Sequence, residues 1–207
     1  MTADARACKK CILIRHGETE GNSSGRYIGC RSNEDLSPYG IEKIIRLSGR
    51  IREISGCCSV FSGPLQRCTH TSAMLFPDSP VTIIDELTEM DFGRFEGKTY
   101  EELKEDEEYQ KWLDHKGLIP APGGEGRDDF VLRSLAGFRR ALDLSGSSDL
   151  IIVCHGGNIM AIMSALTGDG YFDHHAGNLE GYILKFKEDD EGISDLTYDS
   201  IVFGDHI

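Results

Sequence analysis

The chain has 207 residues, with 35 acidic against 22 basic side chains and a formal net charge of −13. That length suits one well-buried domain with an elaboration, and the negative field argues against nucleic acid or an anionic membrane as partner, though not against a small phosphorylated ligand gripped by local arginines. No run approaches the roughly 18 apolar residues of a membrane span, the first residues lack the apolar core of a signal peptide, and seven cysteines read as free thiols, so a reducing, cytoplasmic setting is expected.

Cys8 and Cys11 have the spacing of half a zinc site or a redox pair, but no second CxxC accompanies them and no metal site is expected there. A short apolar strand from about Cys11 then delivers Arg15 and His16 to the point where Gly17 lets the backbone turn. In an open α/β sheet such a point faces the crevice at the carboxyl ends of the strands, where ligands bind. From Glu18 to Leu36 the composition is that of a long loop, on which Asn22, Arg26 and Arg31 can each reach an anion or stay solvated. Ser37 supplies an N-cap and Pro38 a first helical position, which predicts a helix to about Glu53. Its buried face is expected to carry Ile41, Ile44, Ile45, Ile51 and Ile54.

Ser59 to Ser62 is a short buried strand that Gly63-Pro64 turns into a helix carrying Leu65, Arg67, Thr71 and Met74. Arg67 in the first turn opposes the helix dipole, and a bound anion would explain it. Val81 to Ile84 predicts a third strand, followed by a run dense in carboxylates in which spacing alone does not select one acid. Thr99 to His115 is charged and helical in character, and with the Pro120-Ala121-Pro122-Gly123-Gly124 run behind it residues 92–126 are expected to form a lid inserted into the main domain. Val131, Leu135, Phe138 and Leu142 recur at helical spacing. Leu150 to Cys154 is a continuous apolar run, the mark of a central parallel strand buried on both faces. It ends in His155-Gly156-Gly157 and an apolar helix follows, so the unit strand, histidine, glycine occurs twice. Tyr182 to Phe186 and Asp195 to Val202, around an acidic turn at Asp189-Asp190-Glu191-Gly192, read as an edge hairpin. The fold class expected is α/β: a three-layer α/β/α sandwich with a mostly parallel sheet, one antiparallel edge and a small helical lid.

Two strand-end histidines, two arginines near strand ends or helix starts and an acidic loop make a set suited to phosphoryl transfer. Arginines grip a phosphate through bidentate, charge-assisted hydrogen bonds. A neutral imidazole between them can attack phosphorus, and a carboxylic acid can protonate the leaving oxygen. Arg15-His16-Gly17-Glu18-Thr19-Glu20-Gly21-Asn22 resembles the signature of the histidine phosphatase superfamily, which also contains the cofactor-dependent phosphoglycerate mutases. The blocks Ser62 to Arg67, Leu87 to Gly97, Pro122 to Glu125 and Val153 to Gly157 resemble the family's others, in family order.

The resemblance implies that His16 is the nucleophile that becomes phosphohistidine, that Arg15, Arg67 and His155 surround the phosphoryl oxygens, and that Glu89 is the acid and base. It implies Asn22 and the backbone of Gly156 as further donors, and neither metal nor cofactor. The form of the third block and the modest lid resemble small phosphatases such as α-ribazole phosphatase, so a phosphomonoesterase acting on a small phosphorylated metabolite is expected. Mutase-type transfer is the alternative within the family, and a non-catalytic phosphate-binding module the alternative of another class. Glu89 must be protonated while His16 is neutral, which predicts an acidic-to-neutral pH optimum. Substrate identity and oligomeric state are not expressed in the sequence, and His174 and His175 can be contacts or merely exposed.

Overall fold

The computed structural model describes residues 8–189 and 192–203. Residues 1–7 and the expected turn residues Asp190 and Glu191 lie outside them. Strand β1 (Lys9–Arg15) is followed by a one-turn helix α1 (Glu20–Ser23), helix α2 (Pro38–Ser55), strand β2 (Ser59–Ser62), helix α3 (Gln66–Leu75) and strand β3 (Val81–Ile83). Two short helices, α4 (Tyr100–Leu103) and α5 (Glu107–Asp114), precede the long helix α6 (Arg127–Ser145). Strand β4 (Leu150–Cys154), helix α7 (Gly156–Thr167) and the strands β5 (Gly181–Asp189) and β6 (Gly192–Ile201) complete the chain.

The strands form one sheet in the order β3-β2-β4-β1-β5-β6. The first four run parallel, while β5 and β6 run antiparallel and close the edge. Strand β4 lies between β2 and β1 with all five residues buried, as its unbroken apolar run requires. Side chains alternate across the sheet. Leu13, Ile152 and Leu184 pack beneath Phe138, Ile159 and Ile162 of α6 and α7. Ile12, Ile14, Ile151 and Val153 pack on the other face against Ile44 and Ile51 of α2 and Leu75 of α3. These are the three layers expected.

Helix α2 begins as Ser37 and Pro38 predict, with the Ser37 hydroxyl accepting from the Gly40 amide at 3.0 Å. Its buried face is narrower than expected. Gly40, Ile44, Leu47 and Ile51 turn inward, whereas Ile41 and Ile45 are 40% and 65% exposed. The five isoleucines span more of the helix circumference than one packing partner can cover, so the arc that meets the sheet and α3 takes its members and leaves the rest to solvent. Helix α6 behaves similarly: Phe130, Phe138, Ala141 and Leu142 are buried, while Val131 and Leu135 sit on the flank.

Between Phe92 and Gly126 the chain builds a small core of its own, in which Phe95, Leu103, Tyr109 and Trp112 are buried. Capping boxes or caps at Thr99 and Asp106 start its two helices. Tyr27 of the long loop joins it, its hydroxyl 2.8 Å from that of Tyr109. Arg31 fastens the same loop to the base of this segment: Nε lies 2.8 Å from Asp91 Oδ1, and Nη2 also donates to the Gly123 carbonyl. Cys30, Asp91 and Glu96 come close together here, and both carboxylates are engaged, Asp91 by Arg31 and Glu96 by the amides of Gly29 and Arg31. Arg31 is therefore a structural strap. Cys8 is exposed and Cys11 buried, because an odd offset on extended chain points the two side chains to opposite faces, and the CxxC spacing brings no thiol pair together.

Candidate active site

The register of the sheet assembles the site. Arg15 pairs with Cys154 across β1 and β4, so His16 and His155, the next residues, leave the same edge side by side. Their rings stand 5.1 Å apart, edge to face. Strand β2 ends level with β4, with Ser62 paired to Val153, and the turn after it starts α3, which carries Arg67 back toward the two imidazoles. Arg67 is fully buried.

The two rings have opposite tautomers. His16 Nδ1 lies 2.7 Å from the Gly17 carbonyl, which can only accept, so Nδ1 carries the proton and Nε2 the lone pair. His155 Nδ1 accepts from Arg67 Nε at 3.3 Å, which leaves its proton on Nε2, 3.4 Å from Cys68 Sγ. Burial, followed by the charges of Arg15 and Arg67, holds the His16 imidazole well below its ordinary range. His155 is depressed likewise, first by burial and then by Arg67. Both rings are neutral near neutrality, the form a nucleophile and a hydrogen-bond donor need.

Arg15 reaches the Ala176 carbonyl through Nη1 at 2.9 Å, while its Nε is buried with no hydrogen-bond partner among the described residues. Its guanidinium lies against Gly156, where an added Cβ would sit 3.6 Å away. Arg67 is more committed: Nη1 donates to Ser32 O at 2.6 Å and Nη2 to Gly29 O at 3.1 Å. It therefore organises the loop over the site as well as His155. Glu89 is 8% exposed. Its Oε1 accepts from the Met90 amide at 2.9 Å and its Oε2 from the Gly157 amide at 3.3 Å. Burial nonetheless outweighs these donors and the arginines, and raises its carboxyl above the ordinary range. A Cβ at position 157 would lie 2.3 Å from Glu89 Oε1 and 3.0 Å from Phe130 Cζ, so any side chain there would displace the carboxylate.

Asn22 helps start the short helix α1 through a capping box with Thr19. Its Oδ1 accepts from the Thr19 amide and from Asn178 Nδ2, each at 3.2 Å, and its Nδ2 has no hydrogen-bond partner among the described residues. A cleft of about 480 Å³ opens above this floor. Arg15, Asn22, Glu89 and Gly156 line it, whereas His16, His155 and Arg67 lie beneath. Of the residues the sequence left open, Arg26 and His175 line the cleft. His174 does not: it is buried, with Nε2 between Thr167 Oγ1 at 3.2 Å and Asp169 Oδ2 at 3.1 Å.

Two supporting residues escaped the sequence reading. Asn178 Nδ2 donates to the His16 carbonyl at 3.0 Å as well as to Asn22. Arg133 clamps Glu125 bidentately at 3.0 and 2.8 Å and donates to the carbonyls of Glu86 and Thr88 at 2.8 Å, which fixes the loop bearing Glu89. The available signal for Arg133 was a charged residue beside Ser134 within an otherwise apolar helix stripe; Asn178 had none beyond its place in a glycine-flanked loop.

The family model for the histidine phosphatase superfamily (branch 1) matches residues 11–198. The chain is 33% identical over 150 residues to a bifunctional protein of Mycobacterium tuberculosis, a match covering 70% of this chain and 41% of that protein, so the chain spans less than half the length of this relative. It is 32% identical over 161 residues to the adenosylcobalamin/alpha-ribazole phosphatase of Escherichia coli, covering 75% of this chain and 78% of that one. Among solved structures it is similar to the phosphoserine phosphatase of Entamoeba histolytica in complex with 3-phosphoglyceric acid, with TM-score 0.76 and 27% identity over 94% of this chain and 98% of that one. No helix among the described residues is long and apolar enough to cross a membrane. With the expected residues gathered at one sheet edge and the match spanning all five sequence blocks, the chain belongs to the histidine phosphatase superfamily.

Proposed function

We propose that the protein is a metal-independent phosphomonoester hydrolase acting on a small phosphorylated metabolite in the cytoplasm, through a phosphohistidine at His16. The observation that carries this reading is the Nδ1 bond of His16 to the Gly17 carbonyl, which leaves Nε2 unprotonated within the field of Arg15 and Arg67. Arg15, Arg67, His155, Asn22 and the Gly156 amide at the start of α7 hold the phosphoryl oxygens. His16 Nε2 bonds to phosphorus as the bond to the ester oxygen breaks, and the proton on Glu89 passes to that oxygen to release an alcohol. The Glu89 carboxylate then takes a proton from water, whose oxygen attacks the phosphohistidine, returning phosphate and neutral His16. Residues 92–126 serve as a lid over this pocket.

The E. coli relative and the Entamoeba neighbour, named for α-ribazole and phosphoserine respectively, support hydrolysis of a small ester without selecting the substrate. Phosphate release from an aryl phosphate in the presence of chelator, lost in His16→Ala, is the expected result. Failure of the intact chain to turn over a broad panel of phosphate esters would favour a phosphate-binding module. Isomerisation of phosphoglycerates faster than phosphate release would favour mutase-type transfer.

A further inference from the structure

The cleft is larger than a phosphoryl pocket requires. Its volume of about 480 Å³ falls in the range of roughly 300–1,000 Å³ typical of sites that enclose drug-sized ligands; a three-carbon phosphoester would leave most of it to water. Trp112 of α5 and Tyr171, just after α7, give the outer wall an aromatic character. Glu89 is its single carboxylate among the described residues, against the cations Arg15, Arg26, Lys116 and Arg127.

Two of these cations stand apart. Arg26 is paired with Glu102 at 3.0 Å and Arg15 belongs to the phosphoryl pocket. Lys116 and Arg127 have no carboxylate within ion-pair distance among the described residues, in a chain whose net charge is −13. Arg127 is the first residue of the 19-residue helix α6, where the dipole disfavours a cation. It is held there from several sides. Its backbone amide donates to Gly117 O at 2.9 Å and Nη1 to Lys116 O at 3.1 Å, while the guanidinium lies 5.3 Å over the Tyr171 ring. Lys116 has φ of 51°, a region that non-glycine residues seldom occupy. The outer cleft thus presents an aromatic wall and two positive charges without an ion-pair partner among the described residues, one of them locked in place, with Asp128 and Asp129 next to it in the first turn of α6.

Resting on the phosphatase reading above, we infer that the leaving group of the natural ester is a planar apolar body carrying an anionic group of its own, which Arg127 and Lys116 bind at the outer end of the cleft. The stacked Arg127 fork accepts an oxyanion with little further ordering, and the aromatic wall takes the body of the leaving group.

The test compares kcat/KM for phenyl phosphate, 4-carboxyphenyl phosphate and benzene-1,4-diyl bisphosphate. The wild type should favour the two charged esters by about tenfold or more, the size expected of one good charge-assisted hydrogen bond, and the two together show whether carboxylate or phosphate is taken. In Arg127→Gln, and in Lys116→Asn, where asparagine tolerates the left-handed backbone, that ratio should fall toward one. A wild-type ratio near one overturns the inference, and so does a ratio that survives both substitutions, including the case in which all rates fall together because the lid has loosened. If no ester releases phosphate, the phosphatase reading fails separately. Calorimetry with the matching phosphonates then decides: tighter binding of the charged forms, lost in the variants, supports the anion subsite, and equal binding overturns it.

Discussion

The two strand-histidine-glycine units are close to interchangeable in sequence and opposite in chemistry. Arg15-His16-Gly17 ends β1 and Cys154-His155-Gly156 ends β4, and the sheet register sets them level. At the first, the ring donates through Nδ1 to the Gly17 carbonyl. At the second, the ring accepts at Nδ1 from Arg67 Nε. One imidazole is left with a lone pair on Nε2 and the other with a proton there. On the proposed roles, a nucleophile and a hydrogen-bond donor are made from the same side chain by choosing which neighbour holds Nδ1.

The sharpest way to break this comparison is to remove each ring in turn. His16→Ala should lower turnover by about 10³-fold or more, and in the wild type a rapid quench into alkali, in which phosphohistidine survives, should place the label of a labelled ester on His16. His155→Ala should cost about 10²-fold, the scale of losing one transition-state donor, and should still form the phosphoenzyme. A label found on His155 would invert the assignment. Glu89→Gln should reduce kcat by about 10² to 10⁴ and remove the alkaline limb of the pH profile. The sign follows from the two shifts. His16 must be neutral and titrates below its usual range, so activity rises as pH climbs through that depressed value. Glu89 must be protonated and titrates above its usual range, so activity falls as pH climbs through the raised one. An acidic-to-neutral maximum results, and a rate still rising at about pH 9 would refute the pairing of roles.

Smaller effects probe the supports. Gly157→Ala places a carbon 2.3 Å from Glu89 Oε1, so kcat should drop by about 10²-fold, as expected for a displaced catalytic group, with phosphate affinity, measured by inhibition, changed far less. Asn178→Ala removes the bond to the His16 carbonyl. Loss of one hydrogen bond worth about 1 kcal/mol predicts about a fivefold decrease, and no change at all would show that the β1 turn needs no tie to the loop before β5.

Much of this was legible in the chain itself. Local rules exposed the apolar run of Leu150 to Cys154 as the central strand, the Ser37-Pro38 helix start and the two strand-end histidines, because strand burial, capping and turn chemistry act over a few residues. The same rules misjudged Ile41 and Ile45, since hydrophobicity says that a side chain prefers burial but not whether a partner is there to bury it. They were also silent on Arg133 and Asn178, whose partners lie far away in sequence: Arg133 reaches Glu86 and Thr88, and Asn178 reaches His16.

What the amino-acid sequence determined by itself was the inventory: an α/β chain that ends strands on Arg15-His16 and His155, starts a helix with Arg67, and carries Glu89 on an acidic loop. Only the tertiary structure decided the arrangement from which the proposed roles are read. Register brought the histidines together, Gly17 and Arg67 chose their tautomers, and burial drove the Glu89 carboxyl up and both imidazoles down. Proton position and acidity depend on which dipoles and charges stand within a few ångströms and on how much water is excluded, and those are properties of the folded neighbourhood.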